Sequence, residues 1–558
     1  MSHLLLPRRL FFLLPLLAAP LGAQMQTRPF PMLAQPDSAG HELLAPLPES
    51  LADLATLQTV RLVDVPLPSG AATTFELLRV PVAAAGAALF VDGAPVPGAL
   101  DAGLSLWSGH VAGDPQSEVF LAFSRHGSRG WVRSGGELLH LLAQPGANGA
   151  WAASRSEWLD ESALRATGAA PPPPCATLQP PARAHDAGPR PATAGASVAD
   201  GALLPLLECR MVVETDYEYF QVFGDIDAAR TYALALLGAV SDRFREQVGV
   251  ILTIPYLGLY DTPADPWFWP SNGGGSIDVL YEIQEQWAPG FGGSPPAEGD
   301  LHHFLSGADL GGGVAWLPGL CDPDYGFAVS GNLGGVTPFP IVVGPLNWDF
   351  VVVAHETGHN FNALHTHDYC PPLDQCAPDG YFGSCQTAQV CTTQGTIMSY
   401  CHLCDGGFLN ETTYFHPQSV TDMRAAAEGG CLLAFEGVLV QDLGFAKAGS
   451  AGTPTLSVAY SKSPGTLHID ASKLPPGKPG ALFQSLDPLY APFKGGVLVP
   501  EAMLVTPLVS PASGPLALAL TVPLSFPQGI VLYAQEWFKD TGPGYAATNG
   551  VQFELIVP

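Results

Sequence analysis

Positive charge is scarce in this chain of 558 residues: Lys and Arg together number 23 against 51 Asp and Glu, a formal net charge of −28. So acidic a surface repels phosphate backbones and anionic lipid, which argues against nucleic acid or a membrane surface as partner. Long apolar runs are also missing beyond the first residues, because Pro, Gly or charge interrupts them, so no transmembrane segment is expected. No internal repeat is sustained, which excludes an array built from copies of one unit. The stretch 436–558 has no cysteine and no cluster of His or acids suited to catalysis, so the chemistry has to lie upstream.

What is present begins with MSHLLLPRRLFFLLPLLAAPLGAQ, two arginines followed by a short apolar run and small residues up to Ala23. That layout predicts a secretory signal peptide over residues 1–23 and an extracellular protein. Ten cysteines, an even number, then favour disulfides over reduced thiols and over a structural zinc cluster, since export places them among oxidants.

Composition divides the rest. Residues 24–165 carry short alternating segments such as TVRLVDVPL and EVFLAFS between Gly and Pro turns, which predicts a β-rich domain. Residues 166–204 are rich in Pro and Ala without periodicity and read as an extended linker. From 205 to 435 strands and helices alternate. Ala229, Ala233, Leu236, Leu237, Val240 and Phe244 mark an amphipathic helix. A second helix follows Ser276 as cap, with Ile277, Leu280, Ile283 and Trp287 on one side, and a third spans 349–361. Residues 436–558 lack helical periodicity and predict an all-β sandwich, a binding or stabilising module whose partner the residues do not specify.

The chemistry concentrates in VVVAHETGHNFNALHTHDYC, starting at Val351. His355 and His359 stand one helical turn apart on one face, so both imidazoles can reach one metal ion, and Glu356 projects beside them as a base. His365 completes a tripod if the chain turns sharply near Asn362, where the HExxHxxGxxH pattern has glycine. Asn is the non-glycine residue that best tolerates the left-handed backbone this turn needs. His367 competes with His365 as third ligand, two residues beyond the pattern. A chance HExxH is made improbable by the third histidine in register and by GTIMSY, which places Met398 in a tight turn.

With HETGHNFNALH, GTIMSYC and the later FHPQSV, the stretch 205–435 resembles the reprolysin or adamalysin branch of the metzincins, particularly its bacterial secreted members. The segment SGHVAGDPQSEVFLAFS, residues 108–124, resembles the propeptide of that family. The resemblance implies a multidomain protein: a β-rich amino-terminal prodomain, an α/β metzincin catalytic domain and the carboxy-terminal all-β sandwich. It implies one catalytic Zn2+ held by His355, His359 and His365, above a methionine floor at Met398. It further implies peptide-bond hydrolysis by a zinc-bound water that Glu356 activates. Protein or peptide substrate would add antiparallel to GGGVAWL, residues 311–317, where the family has its edge strand; the alternative is a simple buried strand. Thr366 stands where many adamalysins have Asp, and Asp368 is close enough to substitute. Tyr400 shares its offset from the methionine with astacins and serralysins, so its hydroxyl either reaches the metal or packs beneath it. Cys321 is expected to pair with Cys431, and the six cysteines from 370 to 404 among themselves. Residues 24 to about 200 are expected to keep the enzyme latent as a zymogen, with Cys175 either a thiolate switch at the metal or a disulfide partner of Cys209. The rival reading, a secreted binding protein with a dead peptidase domain, is disfavoured by the complete set of ligands and base.

Overall fold

The computed structural model describes residues 27–160, 176–178, 206–335, 348–435, 437–461, 466–521 and 531–556, less 37–41 and the positions 56, 58, 69, 71, 147, 148, 152, 153, 542 and 543. The predicted signal peptide 1–23, most of the linker and Cys175 lie outside them. Among the described residues no helix is long and apolar enough to cross a membrane.

A mostly antiparallel ten-stranded sheet and one short helix, Pro48–Leu54, build the amino-terminal region. Its strand Asp114–Ser124 shows why the apolar alternation is blurred. Val119, Leu121 and Phe123 pack into this region's own core with Leu62, Phe75 and Trp107. Phe120 and Ala122, on the opposite face, belong to a core shared with the following domain. A strand buried on both faces needs apolar residues at successive positions.

The second sheet has nine strands. Two come from the amino-terminal region, β1 (Ala83–Val91) and β2 (Ala94–Val96), and one from the linker, β3 (Ala176–Leu178). The rest follow as β4 (Leu207–Thr215), α1 (Ile226–Gln247), β5 (Val250–Leu259), α2 (Ser276–Trp287), β6 (Leu301–Leu305), β7 (Gly313–Trp316), β8 (Phe327–Ser330), α3 (Trp348–Asn360) and α4 (Pro417–Ala427). In space the order is β3-β7-β8-β6-β4-β5-β1-β2, with Leu433–Ala434 added to β4. All neighbouring pairs are parallel except β7 with β8, β1 with β2 and β4 with Leu433–Ala434.

Two helices depart from the sequence reading. The stripe on α1 is real, but every residue from Ala228 to Phe244 is buried, because the amino-terminal region covers the other face. The cap of α2 is Gly275, whose N–H donates to Asp278 Oδ2 at 2.9 Å, and Ser276 lies inside the helix. Ile277 is exposed while Val279 takes its place in the core with Leu280, Ile283 and Trp287.

Beyond Gly437 the chain is all β among the described residues. A six-stranded and a three-stranded sheet share one core, in which Leu456, Leu467 and Ile469 meet Leu482, Phe538 and Phe553.

Candidate metal centre

α3 carries the first two imidazoles. The helix is buried along its whole length and is tied to the sheet at its end, where Asn360 Nδ2 donates to the carbonyls of Trp316 (2.9 Å) and Phe327 (3.1 Å). The chain then reverses at Asn362, with φ +75°, and Ala363 N–H donates back to Gly358 O at 3.0 Å. The left-handed residue closes the helix and sends the chain towards His365.

The three histidines share one arrangement. His355 Nδ1 donates to Ile397 O at 2.7 Å, His359 Nδ1 donates to Ala363 O at 2.7 Å, and His365 Nδ1 lies 3.2 Å from Asp368 Oδ2. With Nδ1 carrying the proton, each Nε2 is left as a lone-pair donor, and the three converge: His359 Nε2 lies 2.9 Å from His355 Nε2 and 3.1 Å from His365 Nε2. Lone pairs gathered this closely repel one another unless a cation lies between them, so the donor set fits a metal ion. Burial, with the neighbouring imidazoles adding to it, pushes His359 and His365 well below the ordinary histidine value and His355 down to about 3. All three are therefore neutral, the state a ligand requires.

The other residues singled out in the sequence lie around this tripod. Met398 is fully buried beneath α3, and a Cβ at Gly358 would lie 2.8 Å from its sulfur, so glycine at 358 gives the methionine its room. Thr366 N–H donates to Met398 O at 3.0 Å, joining the third-histidine loop to the methionine turn. Tyr400 Oη lies 3.1 Å from His365 Nε2, at the point where the imidazoles meet. His367 is not one of the converging ligands; its ring stacks on His365 at 5.1 Å. Glu356 is fully buried on α3 beside the ligands.

Sequence reasoning missed Gly313. A Cβ there would lie 2.5 Å from Glu356 Oε1, so the first residue of β7 runs directly past the carboxylate. The glycine-rich start of GGGVAWL was visible, but its contact across the fold was not. The backbone acceptors Ile397 and Ala363 left no signal in residue types at all.

Four disulfides hold the surroundings. Cys321 is bonded to Cys431, and the cluster pairs as Cys370–Cys385, Cys376–Cys401 and Cys391–Cys404, which leaves no thiolate there for a structural zinc. Among the described residues Cys209 is a free thiol, fully buried in β4; Cys175, its expected alternative partner, lies outside them.

Fold and site together define a metallopeptidase domain. Residues 207–414 match the family model described as Reprolysin_5, metallo-peptidase family M12, in line with the resemblance of their motifs. No curated protein matches the chain. Among solved structures, metalloproteinase-II from Bacteroides fragilis is 11% identical with a TM-score of 0.35, over 68% of this chain and 95% of that one. So slight a likeness carries no argument.

Proposed function

We propose that this is a secreted zinc-dependent endopeptidase made in a latent form. The observation that carries the reading is the convergence of three neutral Nε2 atoms beside Glu356, with β7 passing the same carboxylate. Zinc held by His355, His359 and His365 would acidify a water and polarise a peptide carbonyl. The chain does the rest. β7 aligns the extended substrate through main-chain bonds, so that the scissile peptide lies along Glu356. The Glu356 carboxylate takes a proton from the attacking water and returns it to the leaving amine. The Tyr400 hydroxyl donates to the oxyanion. Met398 and the disulfides keep the tripod rigid.

Latency is supported by β3. Ala176, Thr177 and Leu178 pair in parallel with Val314, Ala315 and Trp316, and Leu317 N–H donates to Leu178 O at 2.7 Å. This is the edge an antiparallel substrate would need, so β3 and substrate exclude each other. Cys175, next in the chain before β3, is the residue proposed to hold the site closed through its thiolate.

Digestion of a peptide library by protein cut in the linker, with and without a chelator, tests the activity. Cleavage abolished by chelation and restored by zinc is expected, and cleavage indifferent to the chelator would overturn the reading. Full-length protein as active as the cut form would remove latency, and a full-length Cys175→Ala variant that stays latent would remove the thiolate.

A further inference from the structure

The two outer edges of the catalytic sheet are both covered by chain upstream of residue 179, but very unequally. On the β7 edge lies β3, three residues long. On the far edge β1 pairs with β5 from Ile254↔Ala83 to Leu259↔Val91, closed at its ends by Ile254 N–H to Val82 O (2.8 Å) and Asp92 N–H to Leu259 O (2.9 Å). Without β1, the strand VILTIPYLGL, buried at all ten positions, would become a bare apolar edge.

The helix behind that sheet tells the same story. Arg230 donates to the carbonyls of Leu100 (2.6 Å) and Ala102 (2.8 Å), and Ser108 donates to Asp242 Oδ2 at 2.9 Å. Both α1 residues are buried, and neither would be expected inside a core without these partners from the amino-terminal region. Arg129 reaches the other way, lying 5.1 Å from the Trp151 ring and 4.8 Å from that of Tyr232, and donating to Gly335 O at 3.2 Å. Gly238, mid-helix, is where Leu106 enters: a Cβ there would stand 2.2 Å from Leu106 Cδ1. A glycine in a helix interior weakens the helix relative to alanine, and here it admits a side chain from the other region. Leu104, Leu106, Phe120 and Trp131 belong to one continuous core with Leu234, Leu237 and Val240.

We infer that the amino-terminal region is not a discarded propeptide but a permanent second subunit of the active enzyme. After a cut in the linker, residues 27–160 stay bound through β1, β2 and the face of α1, and only β3 has to leave. The role of β3 rests on the peptidase reading proposed above, whereas the association does not.

The test inserts a recognition sequence for a specific protease between Ala187 and Gly188 of the full chain. The cut protein is then run on size-exclusion chromatography at nanomolar concentration, with each fraction analysed on a denaturing gel and assayed on a peptide. Both fragments are expected in one native species at the elution volume of the uncut protein, separating only in denaturant, with peptide cleavage in that same species. Separate elution of a folded catalytic fragment would overturn the inference, as would activity confined to fractions lacking the amino-terminal fragment. Co-elution without cleavage would be resolved by digesting the amino-terminal fragment away: cleavage that then appears would overturn the inference, because the bound region would be an inhibitor, and its continued absence would sink the peptidase reading instead.

Discussion

Glu356 and Glu536 are both fully buried, and they lie in opposite surroundings. Glu356 sits on α3 beside three imidazoles and against the backbone of Gly313, where a carboxylate has chemistry to perform. Glu536 lies in the central strand Val531–Lys539 of the carboxy-terminal region, and its carboxylate oxygens have no hydrogen-bond partner among the described residues. Burial alone pushes it up to about 8. On the proposed function one burial serves a reaction, whereas the other costs stability. Replacing each carboxyl group should therefore act on a different property.

The largest effect is expected at the first. Glu356→Ala should lower kcat/KM for a peptide by about 10²–10⁴-fold while metal content, read by elemental analysis, stays at that of the parent. Loss of metal along with activity would mean that Glu356 holds the site together rather than moving a proton. Next comes the stiffness of its surroundings. Replacing Cys376 and Cys401 together by alanine should destabilise the catalytic domain by about 2–4 kcal/mol in thermal unfolding, because the bridge closes a 25-residue separation beside Tyr400. An unchanged transition would show the loop to be held by packing alone.

The second glutamate gives the pH test. A carboxyl raised from 4.5 to about 8 is neutral in the fold and ionised in the unfolded chain. Its stabilising contribution is complete below about pH 4.5 and is lost as pH rises through 8. Hydrogen-exchange protection of Val531–Lys539, corrected for intrinsic rates, should fall over that window. Glu536→Gln should flatten the fall and stabilise the region at pH 8 by on the order of 1–3 kcal/mol. Equal pH dependence in both proteins would break the contrast. The smallest effect is expected at Tyr400→Phe, about tenfold in kcat with metal content kept; unchanged turnover would leave the ring as packing only.

How much could be read beforehand follows the range of the interactions. His355, His359 and His365 lie within eleven residues, so spacing along one helix and one turn reports their convergence, and Asn362 announces its own backbone conformation. Ala83–Val91 reads as an ordinary strand; nothing in AAAGAALFV says that its neighbour is β5, far along the chain. Arg230, Asp242 and Arg243 lie off the apolar stripe of α1, and a buried charge and a solvated one are the same letter until the partner is known. β3 is too short to disturb the Pro- and Ala-rich composition around it.

The close passage of β7 over the base has a consequence for relatives of this chain. At position 313 even a methyl group would displace the carboxylate of Glu356, leaving the histidines untouched and the helix intact. A homologue with alanine or anything larger there would keep every letter of its HExxH signature while its glutamate is moved from the position it holds here. The genotype to inspect when sorting living peptidases from extinct ones in this lineage is thus a single glycine codon, some forty residues upstream of the motif by which the family is recognised.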